Sequence, residues 1–277
     1  MKKSVLLLLV LFAVKGSAQM DTIYTNSEKI ACIVKEITPD AVKFSYPNEE
    51  LLNSVYKNTI QKIVLKSGRV QTFAEATSYK TVTGAEDYEN VTLTEVESEV
   101  KGLFKLGEAS SKAKGTTGFS SMEKVKQRAY KKMKIMGAMM GANIIYLTQN
   151  ITTGNEPGGK YQGAKSTETN MAGVAYSNKL PSYDEFNNLI GTKTTFRAFE
   201  NIKLSSGGDD MKKSSSDANI QISRIYNESG LIMLDAKVDG VKETTFRVIS
   251  FTNEHFTIVY HDSNIFNNQI YNLKVKI

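Results

Sequence analysis

Two histidines, one cysteine and a few acidic or glycine-rich stretches are the residues of this chain whose types suit catalysis or metal binding. His255 and His261 flank the run Phe256-Thr257-Ile258-Val259-Tyr260. Six residues apart on one strand, they would share a face yet stand about 20 Å from each other, too far to hold one metal ion. His261-Asp262-Ser263 sets a base, an acid and a hydroxyl side by side, the ingredients of nucleophilic catalysis. Neighbours on a strand point to opposite faces, and a triad is defined by geometry rather than by adjacency. A surface loop accounts for the His-Asp-Ser-Asn run without any reaction.

Gly207-Gly208-Asp209-Asp210 offers oxygen ligands of the kind calcium takes. It lacks the twelve-residue spacing and closing Glu of a calcium loop, so it reads as a solvated loop. Neither Gly154 to Gly163 nor the pair Gly102 and Gly107 leads into the Gly-Lys-Ser/Thr of a phosphate-binding loop. The only cysteine, Cys32, lies in the alternating run Lys29 to Val34 and reads as a small buried hydrophobe. A single cysteine forms no internal disulfide, so stability must come from packed cores. These residues assign no catalytic group, no metal ligand and no cofactor.

The segments that must hold them follow from patterning. Lys2 and Lys3, the apolar run Val5 to Val14 and the small residues Gly16-Ser17-Ala18 make residues 1–19 an expected signal peptide, cleaved near Ala18-Gln19. The apolar run is too short to span a bilayer and no later stretch repeats it, so no transmembrane segment is expected. The expected address is the periplasm, the outer membrane or the medium. The formal charge of +6 includes Lys2, Lys3 and Lys15 of the leader, which leaves about +3 for the remainder. That charge is too small and too dispersed for a nucleic-acid partner.

Residues 20–78 read as short strands. Val42, Phe44 and Tyr46 fall on one face after the turn Thr38-Pro39-Asp40, and Asn58 to Leu65 leads through Lys66-Ser67-Gly68-Arg69 to Val70-Gln71-Thr72-Phe73. Closure into a small barrel would remove the exposed edges of such strands. Residues 79–88 read as a polar linker. Residues 89–178 predict a β-β-α-β-β domain: strands at Asn90 to Val96 and Val100 to Gly107, a small polar loop at 110–120, and a helix over 122–140. Ser120 and Glu123 have capping-box spacing, and Met122, Val125, Ala129, Met133, Met136 and Met140 recur along one helix face. Gly141, Ala142 and Asn143 form a structural corner into the strand Ala142 to Thr148, and Asn170 to Tyr176 supplies the last strand. Residues 183–277 predict a short helical turn after Ser182, a mobile polar loop at 205–217 and an antiparallel meander that curls into a barrel or packs as a sandwich. The turns at Asn227 to Gly230 and at Asp239-Gly240 are its clearest hairpin signals. The fold class is thus multi-domain, β-rich α+β.

Two resemblances attach to these segments. Asp21-Thr22-Ile23-Tyr24, then Cys32, Val34, Glu36 and Ile37, then Phe44-Ser45-Tyr46 and Ile60-Gln61-Lys62-Ile63 ahead of Ser67-Gly68-Arg69, resemble a domain common at the N-termini of exported Bacteroidetes proteins. That resemblance implies a small SH3-like or Sm-like barrel and no particular chemistry. Met136 to Ile145, with its Gly141-Ala142-Asn143 corner, and the late Gly173-Val174-Ala175-Tyr176 resemble a bacterial family that carries the label heavy-metal-binding, and small envelope lipoproteins that sense surface stress. Fold and compartment are what this second resemblance implies. The segment has no His and no Cys, and Glu95, Glu97 and Glu99 alone make no transition-metal site. The function expected is a noncatalytic envelope or secreted protein that binds an envelope protein or a glycan, its oligomeric state open. The alternatives are a small ligand, lipid or glycan, held in the C-terminal β domain, and a carboxylate-based hydrolase.

Overall fold

The computed structural model describes residues 20–25, 28–73, 79–117, 120–154, 156, 158, 165–204, 210–262 and 269–277. The expected leader, Gly207-Gly208-Asp209 and Ser263 lie outside these residues. The chain divides into two compact units, Met1–Ala76 and Thr77–Ile277. It is a multi-domain, β-rich α+β protein with three sheets and, among the described residues, two α-helices.

In the first unit, β1 (Asp21–Thr25), β2 (Lys29–Ile37), β3 (Ala41–Ser45), β4 (Asn53–Tyr56), β5 (Ile60–Val64) and β6 (Val70–Gln71) pair in the order β4-β3-β2-β1-β5-β6. Alternation sends Ile23, Ile30, Cys32, Val42, Phe44 and Ile63 into one core. Asp21 fastens three strands. Its carboxylate accepts from Val34 N at 2.8 Å and Lys66 N at 2.7 Å, which ties β2 and the end of β5 to β1. Strand β4 is an addition to the sequence reading: Asn-Ser-Val-Tyr presents only Val55 to the core, too little to show as alternation.

The second unit begins where a linker was expected. Residues 79–88 instead pack: a 3-10 turn at Ala85–Asn90 lies on the long helix, Ala85 is fully buried, and Val82 and Tyr88 join the same core. Three apolar residues at irregular spacing leave no periodic signal. Then come β7 (Thr92–Thr94), β8 (Phe104–Lys114), α1 (Met122–Met139), β9 (Ile144–Thr153) and β10 (Glu168–Ser177), a sheet of order β7-β9-β10-β8 in which only β7 and β9 run parallel. The polar run expected as a loop at 110–120 is in its first half strand β8. Ala109, Ser111 and Ala113 face α1 and are buried; their small size lets the helix approach, and Ser111 Oγ donates to Ala129 O at 2.9 Å. Ser121, not Ser120, caps α1 by accepting from Lys124 N.

The third sheet follows helix α2 (Tyr183–Ile190). Its strands are β11 (Thr195–Leu204), β12 (Met211–Ser215), β13 (Asn219–Glu228), β14 (Leu231–Val238), β15 (Thr245–Phe251), β16 (His255–Asp262) and β17 (Gln269–Lys276), all antiparallel, in the order β12-β11-β13-β14-β15-β16-β17. Strand β11 pairs with β13 through Thr195–Arg197 and with β17 through Arg197–Leu204. Strand β12 corrects the expected loop: Met-Lys-Lys-Ser-Ser has no apolar alternation, and its backbone ladder to Glu200–Leu204 makes it a strand.

Helix α1 is covered on two sides. Ala129, Met133 and Ala138 share a core with Leu147 and Met171 of its own sheet and with Ile202, Ile249, Val259 and Ile270 of the third sheet. For that reason β16 is buried on both faces from Phe256 to Tyr260. The end of α1 is fixed from both directions. Ala142 N donates to Gly137 O at 2.8 Å and Gly141 N to Ala138 O at 2.9 Å, a double closure that needs Gly141 at its φ of +76°. From the third sheet, Asn272 Nδ2 donates to Met139 O at 2.9 Å and the Arg247 guanidinium to Met140 O at 2.8 Å and Leu106 O at 2.7 Å. Asn143 completes the corner, donating from Nδ2 to Asn178 Oδ1 and accepting from Thr92 N.

An ionic cluster locks the 3-10 turn to the third sheet. Glu86 pairs with Lys213 of β12 and, at 2.8 Å, with Lys274 of β17, which also meets Glu200 at 2.6 Å. Lys213 and Lys274 hold the Glu86 carboxyl at about 2, well below its ordinary 4.5. A folded-state value lowered in this way supplies stability above pH 4.5 that is lost as pH falls through about 2. The side chain of Glu86 is 46% exposed, so solvent screening limits this to about 1 kcal/mol. Urea titrations across that window are expected to show a shallower acid limb for Glu86→Gln than for the parent; an identical limb would remove Glu86 from the account.

Candidate ligand-binding site

The third sheet has two unlike ends. At one, α2 lays Phe186 and Ile190 into the core, with Phe186 against Phe251 at 5.4 Å and Phe256 at 5.5 Å between ring centroids. Ser182 caps this helix by accepting from Glu185 N. The middle of the sheet is filled: Phe246, Val248 and Ile258 are 1%, 2% and 0% exposed.

The opposite end is a pocket of about 310 Å³. The β14–β15 turn, the entry to β13, the end of β16, the start of β17 and Asn201 of β11 surround it. Tyr260 and Tyr271 are cross-strand partners there, and their rings stack at 5.0 Å with planes 8° apart. The Tyr271 hydroxyl donates to Gln269 Oε1. Burial raises the Tyr260 hydroxyl well above its ordinary value, and Tyr271, Glu243 and Asp262 add to the rise; burial, Asp262 and Glu243 do the same to Tyr271. Both carboxylates therefore act on the ring pair. Asp239 holds the turn, its Oδ2 accepting from Asn219 Nδ2 at 2.9 Å. Asn201 borders the pocket; its Oδ1 is shut away from solvent and has no donor among the described residues. A volume near 300 Å³ with a few convergent polar groups is at the small end of ligand sites.

A second hollow, about 300 Å³, lies beside Lys132 and Met136 of α1 and Asn170 of β10. Its described lining holds no aromatic ring and no carboxylate.

The residues singled out from sequence fall mostly elsewhere. His255 and His261 sit at opposite ends of β16, paired with Lys276 and Ile270. His255 Nδ1 lies 3.1 Å from Thr252 Oγ1 and its ring meets Phe199 edge-on. Tyr260 and Asp262 line the pocket, whereas His261 between them does not. Asp210 is paired with Lys131 at 3.0 Å. Among the described residues, no three His, Cys, Asp or Glu side chains gather in a way that would hold a metal ion. No described helix is long and apolar enough to cross a membrane. Cys32 is buried, and burial, with the Asp21 charge, pushes its thiol up to about 11. The folded protein is therefore expected to resist iodoacetamide at pH 8 and to react fully once unfolded in urea; fast labelling of the native state would contradict this placement.

Of the pocket residues, Asp262 is singled out from the sequence, while Asn201, Glu243 and Tyr271 escape it because they come from three separate strands or turns. The only local hint is Tyr260-His261-Asp262 at the end of a strand. Compared with family models, curated proteins and solved structures, the chain matches none.

Proposed function

We propose that this chain is a noncatalytic binding protein, exported by residues 1–19 to the periplasm, the outer membrane or the medium, that holds a small polar ligand at the open end of its C-terminal domain. The observation that carries this reading is the asymmetry of that domain, sealed by Phe186 at one end and hollow at the other. The double pairing of β11 supports a six-stranded barrel with β12 appended. The pairing of β1 with both β2 and β5, with a 3-10 turn at Lys57–Thr59 ahead of β5, supports an SH3-like first module. A filled middle favours a polar ligand at the rim over a lipid within.

Native mass spectrometry of the chain isolated from an exporting host tests the reading. A small-molecule adduct is expected in the parent and absent from Ala218→Phe, which fills the pocket. An adduct that survives Ala218→Phe would move the site elsewhere. Glu243 and Asp262 in one open pocket also sustain a second reading, carboxylate-based glycoside hydrolysis. Turnover of nitrophenyl glycosides, lost in Glu243→Gln, would favour it.

A further inference from the structure

We propose that two copies of this chain associate by pairing the outer edge of β4 with itself, antiparallel about a two-fold axis at Ser54. The proposal is independent of the pocket. Strand β4 ends the first sheet, and among the described residues no strand pairs with its far edge. An open edge invites another strand unless lysine, proline or a bulge guards it. The edge strands β8 and β12 of the other two sheets carry lysines, Lys105, Lys112 and Lys114 on the first and Lys212 and Lys213 on the second. Asn53–Tyr56 has neither lysine nor proline, and its register to β3 runs without a break. Leu52 and Tyr56 beside that edge are 56% and 44% exposed.

The backbone sets the register. Lys57 N donates to Asp40 O at 2.9 Å, which fixes the alternation along β4. Asn53 and Val55 turn their N–H and C=O groups to β3, whereas Ser54 and Tyr56 turn theirs outward, with Leu52 next in the series. Tyr56 O accepts from Thr59 Oγ1 at 2.8 Å and keeps a second lone pair. A two-fold axis at Ser54 sets Ser54 opposite Ser54, and Leu52 opposite Tyr56 of the other copy, so the outward groups exchange hydrogen bonds. Val55 packs on the core, and opposite residues share a face. The pairing therefore keeps both cores on one side and lays each exposed Leu52 against an exposed Tyr56 on the other. Beyond the strand the charges are opposite: Glu49 and Glu50 precede it and Lys57 follows it. Antiparallel self-pairing brings Lys57 of each copy beside Glu50 of the other, whereas a parallel arrangement would set like against like. That complementarity selects a second copy as the occupant.

Sedimentation equilibrium on the full mature chain tests the proposal. Pairing over residues 52–56 buries less than a standard interface of about 1,600 Å², so a monomer–dimer equilibrium with Kd of about 1–100 μM is expected. Leu52→Lys puts a charge at the edge and is expected to raise Kd at least about tenfold, with the melting temperature of the dilute protein unchanged. Cross-linking tests the axis. Opposite residues that exchange hydrogen bonds have Cα atoms about 5.5 Å apart, within disulfide reach, and the native Cys32 is buried. Diamide is expected to link Ser54→Cys into a covalent dimer. Tyr56→Cys, whose two copies would stand about 13 Å apart, is expected to stay unlinked. A chain that remains monomeric up to about 500 μM overturns the second copy as occupant and leaves the edge to an extended segment of another protein. A dimer that Leu52→Lys does not weaken, or that links as readily through Tyr56→Cys as through Ser54→Cys, overturns the pairing at β4.

Discussion

Arg247→Ala is expected to lower the unfolding free energy by about 3–4 kcal/mol, since it removes two charge-assisted hydrogen bonds worth about 1.5–3 kcal/mol each. The guanidinium donates to Leu106 O and Met140 O, and desolvation pulls it down to about 10 from its ordinary 12.5. That lowering records a cost of burial, which only good partners offset. Without Arg247, the carbonyl that follows α1 loses its donor at the negative end of the helix dipole. Arg247→Lys retains the charge but not the fork, so it should recover less than half of the loss. Urea denaturation of the three proteins measures this. A loss below 1 kcal/mol for the alanine variant would show that water replaces the side chain at no cost.

Gly173→Ala carries the second large effect. Gly173 sits in β10 where the register to β9 shifts between Ala172 and Gly173. A Cβ there would lie 2.4 Å from Tyr146 O and 3.2 Å from Leu147 Cα. Backbone atoms in a paired strand cannot turn aside as a side chain can. The clash must open the β9–β10 ladder beneath α1, at a cost at or above the usual range for overpacking, about 3 kcal/mol. Thermal melts should show this as a drop of several degrees. An unchanged melting temperature would mean that the two strands are not packed this tightly.

Elements whose signal is local are readable in the sequence. The helix over 122–140 stands at Met122–Met139, and the meander after Ile220 stands as alternating strands around the turns at Ser229-Gly230 and Gly240, all three at positive φ. The rest depends on partners distant in the chain. Ala109, Ser111 and Ala113 look like a loop until the helix above them explains their size. Strand β12 has no apolar pattern because its support is a backbone ladder and the pairing of Lys213 with Glu86. Arg247 lies between the buried Phe246 and Val248 on a strand, and only the approach of α1 turns it into an anchor. The pocket is the extreme case, since it exists only where several strand ends meet.

The pairing of β11 with β17 has a consequence for how this molecule reaches its native state. Five strands, β12 to β16, separate the two partners along the chain, so one edge of β11 waits while all of them are laid down. Such distant partnering raises contact order and slows the search for the native arrangement to the millisecond-to-second range. Until β17 arrives, the waiting edge and the second face of α1 are open to association with other chains, which makes the interval before closure the stage most in need of a chaperone.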